Sequence, residues 1–194
     1  MTSAPDLPDA VTALPAVTAV PAGSVLVVTG AMAAGKSTVA DALARSLPLA
    51  AHVRGDMFRR FVVSGQASMD PPLSAAGRAQ LDLRHALAAQ AADTYAAAGI
   101  TAVVQDILLG PDLVRFTERV RTRPCYAVVL TPDASTLAAR DSARHKRGYG
   151  AWSADEFAAE ARATPGGLHV DTTGWTAEQT VRHVLAHLGD ARVS

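Results

Sequence analysis

Ser24-Val25-Leu26-Val27-Val28-Thr29-Gly30-Ala31-Met32-Ala33-Ala34-Gly35-Lys36-Ser37-Thr38 decides how the rest of the chain is read. Residues 24–29 form an apolar, β-branched run without alternation, the pattern of a strand buried on both faces. The run stops at Gly30, and residues 30–38 then satisfy the spacing G-x-x-x-x-G-K-S. Val39, Ala40, Leu43 and Leu47 follow at helical spacing, which predicts a helix over 35–47. A strand, a glycine-punctuated turn and an amphipathic helix are the parts of a phosphate-binding loop. Glycines let successive backbone N–H groups point into one concavity, and the helix N-terminus adds partial positive charge. In such a loop the lysine, here Lys36, bridges the β- and γ-phosphates, and the Ser37 hydroxyl ligates Mg²⁺. The nucleotide-binding set read from the motif is Gly30, Ala33, Ala34, Gly35, Lys36, Ser37 and Thr38. The competing reading is a glycine turn carrying a solvated lysine. The chain has only two lysines, Lys36 and Lys146, which makes a chance lysine at this position less expected.

Outward from the loop, strands and helices alternate. Strands are predicted over 51–54, 101–105, 126–130 and 168–171. Helices are predicted over 56–63, 74–98, 111–120, 133–144, 153–163 and 176–188. Ser74 reads as a cap and Gly99 as a stop, Pro111 opens a first turn, and Ser153 with Glu156 has the spacing of a capping box. This alternation predicts a three-layer α/β/α domain with a five-stranded, mostly parallel sheet. Ligands of such folds sit at the carboxyl ends of the strands. Gly30, Asp56, Asp106 and the basic stretch after Arg140 all fall there.

The chain has 194 residues, enough for one domain with a real core. Residues 23–190 are read as that domain and 1–22, rich in Pro and Ala, as a flexible tail without the basic start of a secretory signal. Basic and acidic residues balance at 18 each, so no charge excess points to nucleic acid or an anionic membrane as the main partner. The single cysteine, Cys125, excludes an internal disulfide and reads as a buried strand residue. No apolar run has the length to span a bilayer, and the expected location is cytoplasmic.

Three absences narrow the class of nucleotide-binding protein. Neither lysine lies in the Asn/Thr-Lys-x-Asp pattern that reads guanine, so ATP is expected rather than GTP. Asp106 is followed by Ile107 rather than by the water-activating Glu of motor-type ATPases. The chain contains no Asn, which protein kinases need in their catalytic loop. Small kinases that pass phosphate to a bound hydroxyl remain. Asp56 follows the second strand, with Arg59 and Arg60 one turn later, and can orient an acceptor hydroxyl and take its proton; it can equally cap a helix. Asp106 ends the third strand and can hold Mg²⁺ through water or position the acceptor, or simply serve the turn before Pro111. Arg140, Arg144 and Arg147 are spaced along one helical face beside Lys146 and before Gly148-Tyr149-Gly150. They read as a short lid of guanidiniums over the phosphates, or as a solvated basic helix end.

These residues resemble the small P-loop phosphotransferases of the chloramphenicol phosphotransferase type and the zeta-toxin-like AAA kinases. They are more distantly similar to gluconate, shikimate and adenylyl-sulfate kinases and to the kinase domain of polynucleotide kinase. The likeness covers about 25–188. It implies Asp56 as general base, the acidic strand end at 104–110, and the lid at Arg140, Arg144 and Arg147. It also implies that Thr172, after the last strand, lies beside the adenine. Where the antibiotic kinase carries two adjacent acidic residues, this chain has Gln105 before Asp106.

The expected function is ATP-dependent transfer of the γ-phosphate to a hydroxyl of a small metabolite or antibiotic. Lys36, Asp56, Arg144 and Arg147 would act catalytically, Asp56, Arg59 and Asp106 would bind the acceptor, and Ser37 with Asp106 would hold Mg²⁺. A nucleotide or polynucleotide 5′-hydroxyl kinase and a nucleotide-binding regulatory module are the alternatives. The region 58–84 matches no acceptor pattern, and the sequence leaves the oligomeric state open. His183 and His187 at i, i+4 lack an evident third metal ligand. Trp152 and Trp175 are read as packing residues, and Arg84 as an exposed helix arginine.

Overall fold

The structure, a computed structural model, describes residues 20–143 and 153–193. Five strands are present: β1 (Val25–Gly30), β2 (Ala50–Arg54), β3 (Thr101–Gln105), β4 (Cys125–Leu130) and β5 (Leu168–Val170). They pair in the order β2-β3-β1-β4-β5, and every ladder is parallel. The helices among the described residues are α1 (Lys36–Arg45), α2 (Gly55–Arg60), α3 (Ala75–Ala97), α4 (Pro111–Arg119), α5 (Ala134–Ser142), α6 (Ala154–Ala163) and α7 (Ala177–Ala186). None of them is long and apolar enough to cross a membrane. The expected three-layer α/β/α architecture is the one observed. Of the lid expected from Arg140, Arg144 and Arg147 only Arg140 is among the described residues, and of the tail expected over 1–22 only 20–22.

The alternation of β1 explains the layers, because successive strand side chains point to opposite faces. Leu26 and Val28 join Val39, Leu43, Val181 and Val184 in a core against α1 and α7. Val25 and Val27 join Ala88, Ala92, Leu113 and Phe116 in a second core against α3 and α4. The buried stripe of α3 is mostly alanine, which lets the helix lie close on the sheet. Ser74 caps α3 by accepting the Gly77 N–H at 3.0 Å. Ser153 likewise accepts the Glu156 N–H, but the fully reciprocal capping box forms at Thr176 and Gln179 instead. Cys125 is buried on β4, and burial pushes its thiol up to about 11.

Between β1 and its neighbours β3 and β4 the chain order reverses, and the crevice outside such a switch point receives ligands. The buried Thr29 hydroxyl fixes one wall of it. It donates to the Leu108 carbonyl at 2.9 Å and accepts the Leu108 N–H at 2.8 Å, so the segment after β3 is pinned to the end of β1.

Candidate active site

The phosphate loop has the backbone geometry its sequence requires. Gly30 has φ 143°, and a Cβ there would stand 2.6 Å from the Leu130 carbonyl oxygen. Gly35 has φ 92°, and Ala33, with φ 61°, is the non-glycine residue that adopts the left-handed region. Such turns gather N–H groups into an anion-binding concavity, and strain of this kind is characteristic of ligand sites. Lys36 is buried and its Nζ donates to the Ala31 carbonyl at 2.7 Å, which folds the ammonium back over the loop.

Two cavities flank this loop. The first, about 270 Å³, is lined by Ala34, Gly35, Thr38, Arg140, Thr172 and Trp175 among others. Arg140, on α5, donates to the Ala34 carbonyl at 3.3 Å and to the Thr172 carbonyl at 3.1 Å, clamping the loop to the segment after β5. The Thr172 hydroxyl is buried with no hydrogen-bond partner, so it is available to a ligand. Trp175, expected to be a packing residue, lines this cavity and is 38% exposed as a residue. Its ring makes an edge contact with His183 at 5.2 Å between centroids, and His183 stacks on His187 at 4.1 Å.

The second cavity, about 350 Å³, lies on the other side. Met32 reaches into it from the loop, Leu81 and Arg84 from α3, Ile107 and Leu109 from the segment after β3, and Phe157 from α6. Here the structure corrects the reading of Arg84. Its side chain is only 13% exposed and forms a two-pronged ion pair with the fully buried Asp106. Burial pulls the guanidinium down to about 10, still charged at neutral pH. Asp106 also accepts the Ile107 N–H at 2.7 Å and lies against Gly55, where a Cβ would come within 1.9 Å of its Oδ2.

Gln105, not Asp106, faces the Ser37 hydroxyl, which donates to Gln105 Oε1 at 3.2 Å. Asp56 does not cap α2: the N-cap position is Arg54, with no side-chain cap. Arg60 lies 3.4 Å and Arg54 3.9 Å from the Asp56 carboxylate, whose Oδ1 is buried and accepts no hydrogen bond. Arg59 donates to the Ala67 carbonyl at 3.0 Å and leaves its buried Nε without an acceptor. Arg144 and Arg147 lie outside the described residues. Asp82, His85 and Asp112 form a cluster with metal-ligand atoms within 4.8 Å of one another, but the Arg78 guanidinium already bonds both carboxylates.

The family model of the AAA domain matches residues 25–164, a span that includes the loop and every lining residue of the second cavity. The chain belongs to the AAA domain family. No curated protein sequence matches it. Solved structures share the fold of this AAA domain at low identity. A sugar kinase from Janibacter sp. HTCC2649 is 20% identical, with TM-score 0.63 over 87% of this chain and 95% of that one. A gluconokinase from Sinorhizobium meliloti 1021 is 20% identical, with TM-score 0.59 over 87% and 93%. The APS kinase of Mycobacterium tuberculosis, solved with AMPPNP and APS, is 19% identical, with TM-score 0.61 over 87% and 99%.

Two site features of this AAA domain were not read from the sequence. The Arg84–Asp106 pair joins residues on different elements, and only the position of Asp106 at a strand end hinted at it. Gln105 could have been found from its place at the last residue of the strand beside β1.

Proposed function

We propose that this AAA domain is an ATP-dependent kinase that transfers the γ-phosphoryl group of ATP to a hydroxyl of a small molecule. The supporting observation is the pair of cavities on opposite sides of one phosphate loop, one meeting it at Gly35 and Thr38, the other at Met32. A pure nucleotide binder has no use for the second. A structural neighbour, the APS kinase, was solved with two ligands together, AMPPNP and APS.

In this reading the adenine end of ATP occupies the cavity of Thr172 and Trp175, and the loop N–H groups, Lys36 and Arg140 hold the phosphates. The acceptor oxygen attacks the γ-phosphorus as the bond to the β–γ bridging oxygen breaks. ADP leaves, and the hydroxyl proton passes to Asp56, whose Oδ1 has a free lone pair. The Arg84–Asp106 pair positions the acceptor, Arg59 lines a separate pocket beside Phe58 and Leu83, and Arg144 and Arg147 offset charge on the transferring group. Mg²⁺ fits this site as a hard ion held mainly by phosphate and water, because Ser37 and Gln105 offer two neutral oxygens side by side. When bound, it supplies neutralisation of the developing phosphate charge. Asp106, committed to Arg84, orients that guanidinium rather than the ion.

ADP release measured with MgATP against a panel of hydroxylated metabolites, antibiotics, nucleosides and 5′-hydroxyl oligonucleotides tests the proposal. Acceptor-stimulated release with at least one small molecule is expected. Tight ATP binding with no stimulated release by any of them would favour a regulatory nucleotide-binding module.

A further inference from the structure

We infer that the hydroxyl acceptor has an apolar body and carries no negative charge, and that it sits in the cavity between α3, the segment after β3, and α6. This rests on the kinase reading and names the acceptor class for that same site. The walls contributed by Leu73, Leu81, Ile107, Leu109 and Phe157, with Met32 at the loop, are hydrocarbon or thioether surface. A polyol placed there would lose water from several hydroxyls and find few donors or acceptors in exchange, which is unfavourable. An aromatic or aliphatic body gains from the same surface. The volume, about 350 Å³, is near the lower end of small-molecule sites.

The charges lining the cavity exclude an anion. Among the described residues two cations line it, Arg78 and Arg84, and both are committed. Arg78 bonds Asp112 and, at 2.9 Å, Asp82. Arg84 grips the buried Asp106. Drawing Arg84 onto an acceptor carboxylate, sulfate or phosphate would strand the buried Asp106 in a dry place, and Arg78 is already shared between two carboxylates. The lining anions, Asp112 and Glu160, differ from one another. Asp112 receives Arg78 and Arg115, whereas Glu160 takes part in no ion pair among the described residues and is exposed. The remaining field therefore repels anions and favours a neutral or ammonium-bearing alcohol.

Three alcohols sharing one body test this: phenylalaninol (ammonium), N-acetylphenylalaninol (neutral) and N-succinylphenylalaninol (carboxylate), with D-gluconate as the polyol. Affinity is read by ligand-observed NMR on the full chain, and turnover by ADP release with MgATP. The neutral and ammonium compounds should bind at least about tenfold more tightly than the succinyl compound, and gluconate should not bind measurably. Leu81→Asp should weaken the neutral compound about tenfold or more. Glu160→Arg should shift the ammonium-to-carboxylate ratio by about three- to fivefold, the scale of an exposed charge pair. Equal or better binding of the succinyl compound or gluconate would overturn the inference, as would no binding of any aromatic alcohol. Phosphorylation of gluconate alone would overturn it while leaving the kinase reading in place. Selective, Leu81-dependent binding without ADP release would support the selectivity of the cavity and remove the kinase reading.

Discussion

On the nucleotide side of the phosphate loop, the site is made chiefly of backbone. Residues 30–38 supply its floor, and the distant Arg140 guanidinium joins by donating to the main-chain carbonyls of Ala34 and Thr172. On the acceptor side, side chains from α3, the β3 end and α6 converge, and ion pairs spanning 22 and 34 residues hold them. The difference teaches how one fold can keep its phosphate donor while changing its acceptor. A loop that binds through N–H groups tolerates varied side chains at its x positions, whereas a wall of side chains is rewritten by a few substitutions.

Lys36→Ala and Asp56→Asn give the sharpest separation of the two sides. Lys36→Ala should lower phosphoryl transfer by about 10³ or more and weaken ATP binding, because a buried phosphate charge loses its partner. Asp56→Asn should lower turnover by about 10²–10⁴ while ATP affinity stays within a few-fold. Isothermal titration with ATP beside steady-state ADP release checks both; a collapse of ATP affinity in Asp56→Asn would erase the division drawn here.

Arg84→Met attacks the framework of the acceptor side. It leaves Asp106 buried without its counter-charge, a cost of about 3–5 kcal/mol. The melting temperature should fall by roughly 10 °C for a domain of this size. The double variant Arg84→Met/Asp106→Leu should recover most of the loss, and a double variant as unstable as the single would show that the pair is not what holds this wall. Trp175→Ala, on the nucleotide side, should weaken ATP about fivefold, the low end for a base stacked on an aromatic ring. It should leave the melting temperature nearly unchanged, because the residue is exposed.

A further effect concerns pH. Burial lowers His85 to about 4 from 6.5, so the ring is neutral in the folded protein and its Nε2 has no partner. The unfolded chain takes up a proton below pH 6.5. The stability tied to the neutral ring is therefore complete above that pH and is lost as pH falls towards 4, by at most about 1.4 kcal/mol per unit. His85→Leu should flatten urea midpoints between pH 7 and 4.5, with a residual slope from His52, which burial also lowers. Parallel slopes in variant and wild type would remove His85 as the cause.

The phosphate loop was legible in the sequence because its residues are contiguous and their spacing is set by backbone geometry. The strand–loop–helix order and the parallel sheet followed from β-branched runs separated by helical periodicity. Arg84 was misread because α3 is alanine-rich: with small residues on its buried stripe, the helix shows little contrast between faces, and nothing local marks position 84 as inward. Trp175 was misread because its role depends on where the segment after β5 lands relative to the loop. The convergence on the acceptor cavity left no trace in the region 58–84, since three of its walls come from elsewhere in the chain.

Gly55 carries a consequence for how such a protein can evolve. Its φ is ordinary, so any residue could adopt its backbone, yet no atom fits where a Cβ would go, because Asp106 fills the space. Positions 55 and 106 therefore behave as one inherited unit. A lineage that keeps the aspartate is bound to glycine at 55, and one that shortens residue 106 is released to fill 55 with a side chain. Among descendants with different acceptors, the two positions should be seen to change in concert, with Arg84 free to drift once its partner has gone.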